Sequence, residues 1–189
     1  KETIQSEGPW GVSDKVFNYT VFNSGSLSKY ILRKVPYDFE YADIQAGIGT
    51  PHAVYAEFTA DETLLVRAEA QALLGHYAEA LDDLNTELAA FSREGVQLTL
   101  DDVKKFYSDD VTAYYTPEKP TPRKAFHTTF AISKDTEEPM LQCILHLRRI
   151  MTIHEGLRMQ DVKRYGITIY RRDVKSNYKI TGITDTMEA

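Results

Sequence analysis

The sequence has little of what several functional classes require. It contains a single cysteine, Cys143, so no disulfide can form within the chain. Because a free cysteine behaves as a small apolar residue, Cys143 in the apolar run 141–150 is a candidate core residue. No apolar run reaches the roughly 18 residues that a membrane-spanning helix needs. The first residues have no signal-peptide pattern, so any such signal is expected outside this sequence.

An excess of positive charge is also missing. The chain has 22 Lys and Arg against 28 Asp and Glu, which gives a formal net charge of -6. Binding to nucleic-acid phosphates favours a basic surface, and no basic run with interleaved aromatic residues occurs. The composition therefore argues against a nucleic-acid partner. With 42% hydrophobic residues it is otherwise ordinary for a globular domain.

The common catalytic motifs are absent as well. The histidines do not have the spacing of a metal site, and no Gly-Lys-Ser/Thr phosphate loop or Gly-x-Ser-x-Gly elbow occurs. Adjacent carboxylates stand at 82–83, 101–102 and 109–110, but neighbours on a helix do not face each other. We interpret these pairs as solvated charge. The sequence predicts a protein that is not an enzyme and holds no metal or cofactor.

The clearest structural pattern is a helical hairpin. Gly75 separates two runs of helical periodicity, 62–74 and 78–91, each with small or apolar residues on one face. Thr59 followed three residues later by Glu62 is typical of a helix start. A helix, a glycine corner and a second helix in this order are typical of a tetratricopeptide-type repeat.

We predict one domain, mainly α-helical with irregular and short β segments. Its four regions are strands and loops over 1–57, the hairpin and a short helix over 58–107, a loop insertion over 108–138, and a C-terminal helix and tail over 139–189. The glycine-containing segment 47–51 is predicted as a flexible loop and 126–130 as a short strand. Three prolines within 117–122 exclude regular helix there. Alternating residues after 166 predict further strands.

Charged residues recur at every third position in the C-terminal region, at Glu155, Arg158, Asp161 and Arg164. On one helix this spacing allows ion pairs between successive members. Two interpretations are open at this point. The basic residues of this region, which also include Arg148 and Arg149, form a cluster that binds an anion, or the set is a structural network that ties this helix to the hairpin through Glu69 or Asp83. The near balance of charge favours the network.

Two segments together resemble a known family. The first is 58–70, followed by Leu-Gly at 74–75 and the spaced residues of 77–85; the second comprises 147–150 and 154–166. In this order and separation they look like the SusD/RagB family of outer-membrane nutrient-binding lipoproteins. The resemblance implies a SusD-like α/α fold, with a tetratricopeptide-like hairpin packed on a C-terminal helix.

The chain also departs from the pattern of that family. The family usually has acidic residues where Leu147 and Met151 stand, and aromatic residues where Met159 and Gln160 stand. Its members are usually longer, with several helical repeats ahead of this region and a lipidated N-terminal cysteine. The chain therefore resembles the C-terminal part of such a protein, or a shortened relative.

The resemblance implies a function that involves no catalysis. The protein is expected to bind an oligosaccharide or other nutrient at the bacterial cell surface and to deliver it to a SusC-like TonB-dependent transporter. The expected location is the surface of the outer membrane, held there by a lipid anchor that this sequence does not include.

No binding motif is common to the family, so the ligand residues are chosen by their chemistry. Trp10, Tyr114 and Tyr115 lie in loop-like sequence, and exposed aromatic faces stack on sugars. The alternative is that these rings pack into the core. A second hypothesis for function is a repeat-type protein-interaction scaffold without its own sugar site. A hydrolase would need two facing carboxylates in a cleft.

Overall fold

The computed structural model describes residues 6–12, 16–17, 21–24, 29–32, 37–54, 56–93, 95–174 and 180–187. Within these ranges the chain is rich in helix and has several small two-stranded sheets. The helices are α1 (Ala60–Leu73), α2 (Tyr77–Phe91), α3 (Leu100–Phe106), α4 (Glu137–Met151) and α5 (Arg158–Tyr165). The prediction of a mainly α-helical chain with short β segments is confirmed at this level.

Helices α1 and α2 form the predicted hairpin. The Thr59 hydroxyl accepts a hydrogen bond from the backbone N–H of Glu62 at 3.3 Å, so the first helix begins where its capping residues indicate. Gly75 ends the corner with a φ of 78°, a backbone conformation that favours glycine. The apolar face that the two helices bury consists of Leu65, Ala68, Ala72, Ala80, Leu84 and Leu88.

Helix α4 is the centre of the core. It packs against α1, α2 and α3, and nearly every one of its side chains is buried. A helix that is covered around most of its circumference belongs inside a protein, as its sequence pattern predicts. Its buried apolar residues include Met140, Leu141, Cys143, Ile144, Leu147 and Ile150. Among the described residues, no helix is both long and apolar enough to cross a membrane.

The strands form antiparallel pairs and do not join into a larger sheet within the described residues. Four of them lie early in the chain: β1 (Glu7–Gly8), β2 (Gly11–Val12), β3 (Val21–Ser24) and β4 (Lys29–Leu32). The others are β5 (Tyr37–Asp43), β6 (Ile48–Ala53), β7 (Ile169–Val174) and β8 (Ile180–Met187). The final pair, β7 and β8, confirms the strands predicted after residue 166.

Two local predictions are wrong. The segment 47–51 is not a loop, because Ile48 begins β6, which pairs with β5 in a hairpin. The segment 126–130 is not a strand. It is held by an isolated backbone hydrogen bond of 2.8 Å from His127 N–H to the carbonyl of Tyr165, which is too little pairing to make a ladder.

The predicted loop insertion is irregular, as its prolines require. It leaves α3 at Phe106 and returns to helix only at Glu137, and on the way it crosses the surface of α4. This crossing brings loop residues against the buried helix. The candidate site lies there.

Candidate functional site

Trp10 is not available to a ligand, and the prediction that it lies exposed is wrong. The side chain is 4% exposed. Its ring centroid lies 5.6 Å from that of Phe17 and 4.9 Å from that of His146 on α4. The short β1–β2 turn folds the ring inward, because an indole can bury a large apolar area only against the core.

Tyr114 is half-buried, and its polar end is already occupied. The hydroxyl donates to Glu138 Oε1 at 2.5 Å and accepts from Arg123 at 2.8 Å. The guanidinium carbon of Arg123 also lies 3.9 Å from the ring centroid and covers one face. Burial and the neighbouring Glu138 raise the pKa of Tyr114. Through these contacts Tyr114 links the loop to α4.

Tyr115 has a different environment, because its ring faces a cavity together with two cations. The ammonium nitrogen of Lys124 lies 3.5 Å from the ring centroid, and the guanidinium carbon of Arg172 lies 5.2 Å away. Tyr170 lies alongside, with ring centroids 5.9 Å apart. Of the three predicted ligand residues, Tyr115 has the surroundings that suit a binding site.

The cavity beside Tyr115 has a volume of about 170 Å³. It is lined by Ser6, Tyr115, Pro120, Thr121, Pro122, Lys124, His146, Arg149 and Arg172. A smaller recess of about 10 Å³ shares Pro122, Lys124, His146 and Arg149 with it and reaches Arg158. We call the two spaces together the basic cavity, because their charged walls are cationic.

A folded loop builds one side of the basic cavity. The backbone N–H of Tyr115 donates to the carbonyl of Arg123 at 2.8 Å, and Thr116 and Lys119 exchange two backbone hydrogen bonds of 3.1 Å. The Thr121 hydroxyl donates to the carbonyl of Ala113 at 2.6 Å. The prolines in this loop have fixed φ angles, so little further freedom is lost when it closes.

The loop is fixed to α4 through one amide side chain. Buried Gln142 accepts from the backbone N–H of Lys124 at 3.0 Å and donates to the carbonyl of the same residue at 2.5 Å. The two hydrogen bonds act like a piece of strand pairing. They set the position of Lys124 from the most buried helix, which gives the cavity a rigid cationic wall.

The basic cavity disfavours protonation of the groups that line it. Burial, and then Arg149 and Arg158, lower the pKa of Lys124 from 10.5 to about 7. Burial and Arg149 likewise lower the pKa of Arg158 to about 10, although Asp161 opposes the change. Burial, Arg149, Lys124 and Arg158 lower the pKa of His146 to about 3. The three shifts share one direction, because burial disfavours the charged form of each group and the neighbouring cations repel the added proton.

The charged residues that were predicted to pair in succession along one helix form a different network. Helix α5 begins at Arg158, so Glu155 lies outside it and the predicted series of pairs on one helix does not include Glu155. Arg158 and Asp161 do approach, at 3.4 Å. Arg164 lies 2.8 Å from Glu69 on α1. Within the described ranges, the spacing of three along the sequence therefore identified residues of the network and the pair Arg158–Asp161.

Arg148 is the centre of that network. It donates to Glu69 at 2.6 Å, to Asp161 at 2.7 Å and to the carbonyl of Leu65 at 3.1 Å. The hydroxyl of Tyr165 donates to Glu69 at 2.6 Å. Burial would raise the pKa of Glu69, but Arg148, Tyr165 and Arg164 outweigh it and hold the pKa below its usual value.

Sequence reasoning did not identify Lys124 and Arg172 as site residues. They come from the loop and from β7, and neither belongs to a motif. Arg149 did stand in the basic cluster for which anion binding was one of two interpretations. A usable signal was the proline-rich loop that carries both Tyr115 and Lys124, since a constrained loop positions its side chains well.

Groups of three or more His, Cys, Asp or Glu placed to hold a metal ion do not occur in the part of the chain that the structure describes. Comparison of the chain with protein-family models, with curated proteins and with solved structures gave no match.

Proposed function

We propose that this chain binds a glycan or related nutrient at the bacterial outer-membrane surface and passes it, chemically unchanged, to a SusC-like TonB-dependent transporter. The observation that supports the proposal is the buried network around Arg148. Its members come from the two segments that resemble the SusD/RagB family. They are Glu69 in the first segment and Arg148, Asp161, Arg164 and Tyr165 in the second.

This network supports the resemblance because it gives the two motifs a shared physical role. Residues that are far apart in sequence meet in one buried cluster that holds α5 and α4 against α1. A tetratricopeptide-like hairpin packed on a C-terminal helix, the SusD-like arrangement, is accordingly the finer fold that we propose. The lipid anchor and the surface location follow from the same family resemblance.

The ligand site in this proposal is the basic cavity, with Tyr115 as the stacking surface. The Lys124 ammonium covers one face of the Tyr115 ring, so the sugar ring would stack on the other face. The rigid loop limits the entropy that would otherwise be lost on binding. Trp10 is left out because it is buried, and Tyr114 supports the loop from the other side.

Isothermal titration of the full chain with a panel of neutral and acidic polysaccharides tests the proposal. We expect at least one saturable isotherm, and we expect Tyr115→Ala to weaken that binding by about tenfold or more, the effect of losing one stacking contact. Tyr41→Ala is the matched control, because Tyr41 is an exposed tyrosine on the β5–β6 hairpin. Its binding should equal that of the wild type.

The outcomes separate clearly. If no polysaccharide gives a saturable isotherm, the glycan-binding function is overturned. If binding occurs but Tyr115→Ala and Tyr41→Ala behave alike, the ligand site is elsewhere on the chain.

A second candidate function is the protein-interaction scaffold. It is favoured by Phe58, which is 90% exposed beside the start of α1. Phe58, Leu64 and Arg67 help line an open depression of about 420 Å³. An exposed aromatic next to an apolar depression is typical of protein contacts. This function replaces the first if three results are obtained together. The purified transporter binds the chain, Phe58→Ser weakens that binding, and no glycan gives a saturable isotherm.

A further inference from the structure

We infer that the basic cavity is selective for an acidic sugar, with the ring on Tyr115 and the carboxylate held by Lys124, Arg149 and Arg172. The inference rests on the proposed function, because it names the chemical class of the nutrient bound there. It adds a charge requirement that neither the sequence motifs nor a stacking surface alone would impose.

The charge of the cavity contrasts with that of the chain. The protein has a net charge of -6, yet the residues that line the basic cavity include Lys124, Arg149, Arg158 and Arg172 and no Asp or Glu among the described residues. In an acidic protein, four cations around one small space are a specific feature. A cavity with walls of one sign concentrates ligands of the opposite sign.

The two arginines that are buried in the interior of the described chain, Arg123 and Arg148, have carboxylate partners. Arg148 pairs with Glu69 and Asp161, and Arg123 pairs with Glu138 and Asp109. By contrast, Lys124 and Arg172 have no carboxylate within 4 Å over the ranges that the structure describes. The Lys124 ammonium instead donates to the neutral carbonyl of Thr121 at 3.1 Å and lies over Tyr115.

The position of the Lys124 ammonium is unfavourable until an anion enters. Desolvation and like charge lower the pKa of Lys124 to about 7, and Arg149 opposes protonation at Lys124, His146 and Arg158 alike. A bound carboxylate would reverse the sign of this interaction. Part of the stability lost in keeping the cations together is then recovered as binding free energy.

The dimensions suit one charged sugar residue. A volume of about 170 Å³ lies below the ~300–1,000 Å³ typical of drug-sized ligand sites, so the cavity holds one ring and its substituent. The recess of about 10 Å³ has room for roughly one water molecule or one oxygen atom. Guanidinium groups bind a carboxylate through two parallel hydrogen bonds, which fixes the orientation of the sugar.

The test compares oligogalacturonate with a neutral galacto-oligosaccharide of equal length, titrated into the full chain by calorimetry. We expect the acidic ligand to bind about tenfold tighter or more, as expected for hydrogen bonds to a charged group. Its affinity should fall as sodium chloride is raised, while a neutral ligand should be insensitive. Lys124→Met and Arg172→Met should each lower the acidic affinity by about tenfold.

Lys163→Met is the charge-matched control, because Lys163 is exposed on α5 and does not line the basic cavity. It removes one positive charge and should leave the acidic affinity unchanged. Thermal unfolding of each variant confirms that the fold is retained. Two cavity variants are used so that a folding defect in one leaves the other informative.

The results distinguish this inference from the function on which it rests. If the neutral oligosaccharide binds as tightly as oligogalacturonate, the acidic selectivity is overturned and glycan binding stands. If Lys163→Met weakens binding as much as Lys124→Met, the effect is general charge and the cavity is not the site. If no glycan of either kind binds, the proposed function itself fails.

Discussion

The guanidinium of Arg148 lies 2.6 Å from the carboxylate of Glu69, although 79 positions separate the two residues in the chain. Both side chains are buried, and Arg148 also reaches Asp161 of α5. One cation therefore joins three helices. Removing it would leave two buried carboxylates with only the more exposed Arg164 and Arg158 as counter-charges.

We predict that Arg148→Met strongly destabilises the fold. Breaking a buried ion pair by deleting one partner typically costs about 3–5 kcal/mol, because the remaining charge stays desolvated. The free energy of unfolding from urea titration at pH 7 measures this loss. The double variant with Glu69→Gln should lose less than the sum of the two single variants.

Arg67→Met is the control for that experiment. Arg67 pairs with Asp83 at 2.6 Å, but its side chain is 63% exposed and water already screens the charge. Its loss of stability should be much smaller than that of Arg148→Met. Equal losses in the two variants would show that burial does not increase the contribution of the Arg148 network to the free energy of unfolding.

We predict that Lys124→Met raises stability while it weakens ligand binding. The variant removes a desolvated ammonium that faces Arg149 and Arg158, and relief of unfavourable charge commonly stabilises by about 0.5–2 kcal/mol. The unfolding midpoint in urea at pH 6 measures the gain. A lower midpoint for the variant would mean that the ammonium is well compensated.

The same variant has a defined pH dependence. The pKa of Lys124 is lowered from 10.5 to about 7 in the folded chain, so the unfolded chain binds more protons between these values. Wild-type stability from this group therefore rises with pH across that window. The advantage of Lys124→Met is complete below pH 7 and shrinks as the pH approaches 10.5.

His146 should make the fold sensitive to mild acid. Its pKa falls from 6.5 to about 3 because it is buried beside Arg149, Lys124 and Arg158, while Ser6 and Tyr107 hold its ring nitrogens. As the pH falls below 6.5, the unfolded chain binds a proton at His146 that the folded chain does not bind. Stability from this group is complete above pH 6.5 and falls by up to about 1.4 kcal/mol per unit below it.

Urea unfolding between pH 4.5 and 7.5 checks this expectation. The His146→Gln variant should lose the decline within that range. The decline due to Glu69 lies lower, since the pKa of that carboxyl is held below its usual 4.5. An identical slope in wild type and variant would contradict the assignment to His146.

Gly166 and Gly75 provide a matched pair for backbone strain. Both have positive φ, 58° and 78°, but a Cβ at Gly166 would lie 2.2 Å from the carbonyl oxygen of His127, whereas a Cβ at Gly75 would meet nothing within 4 Å. Gly75→Ala should cost about 1–2 kcal/mol from conformation alone. Gly166→Ala should cost about 3 kcal/mol or more, because the clash is added. Thermal unfolding of both variants compares them, and equal losses would argue against close packing at Gly166.

The helices were predictable from sequence because their signals are local. Thr59, Gly75 and the apolar periodicity on either side of the turn are enough to place α1 and α2. The β5–β6 hairpin was missed because the signal for its second strand is not local. Its second strand contains a glycine and a proline, residues with weak strand preference, and only pairing with β5 makes the segment a strand.

The site was less predictable, because it depends on distant parts of the chain. Tyr115 could be chosen from its loop, but the approach of Arg172 depends on where β7 lies, and the contact with Arg149 depends on α4. Trp10 shows the opposite error. Its neighbours in sequence indicate a turn, yet the turn directs the ring toward α4, and local sequence does not determine which side of a turn faces the core.

The β5–β6 hairpin stands largely clear of the rest of the protein, with Ile44 81% and Ile48 62% exposed. Its backbone hydrogen bonds are therefore not protected by the packing that surrounds α4. In deuterated solvent, the amide hydrogens of the hairpin should exchange through local opening, long before those of α4, which require the whole core to open. The molecule accordingly has two tiers of protection, and a hairpin of low protection can rearrange at little cost to the core that holds the basic cavity.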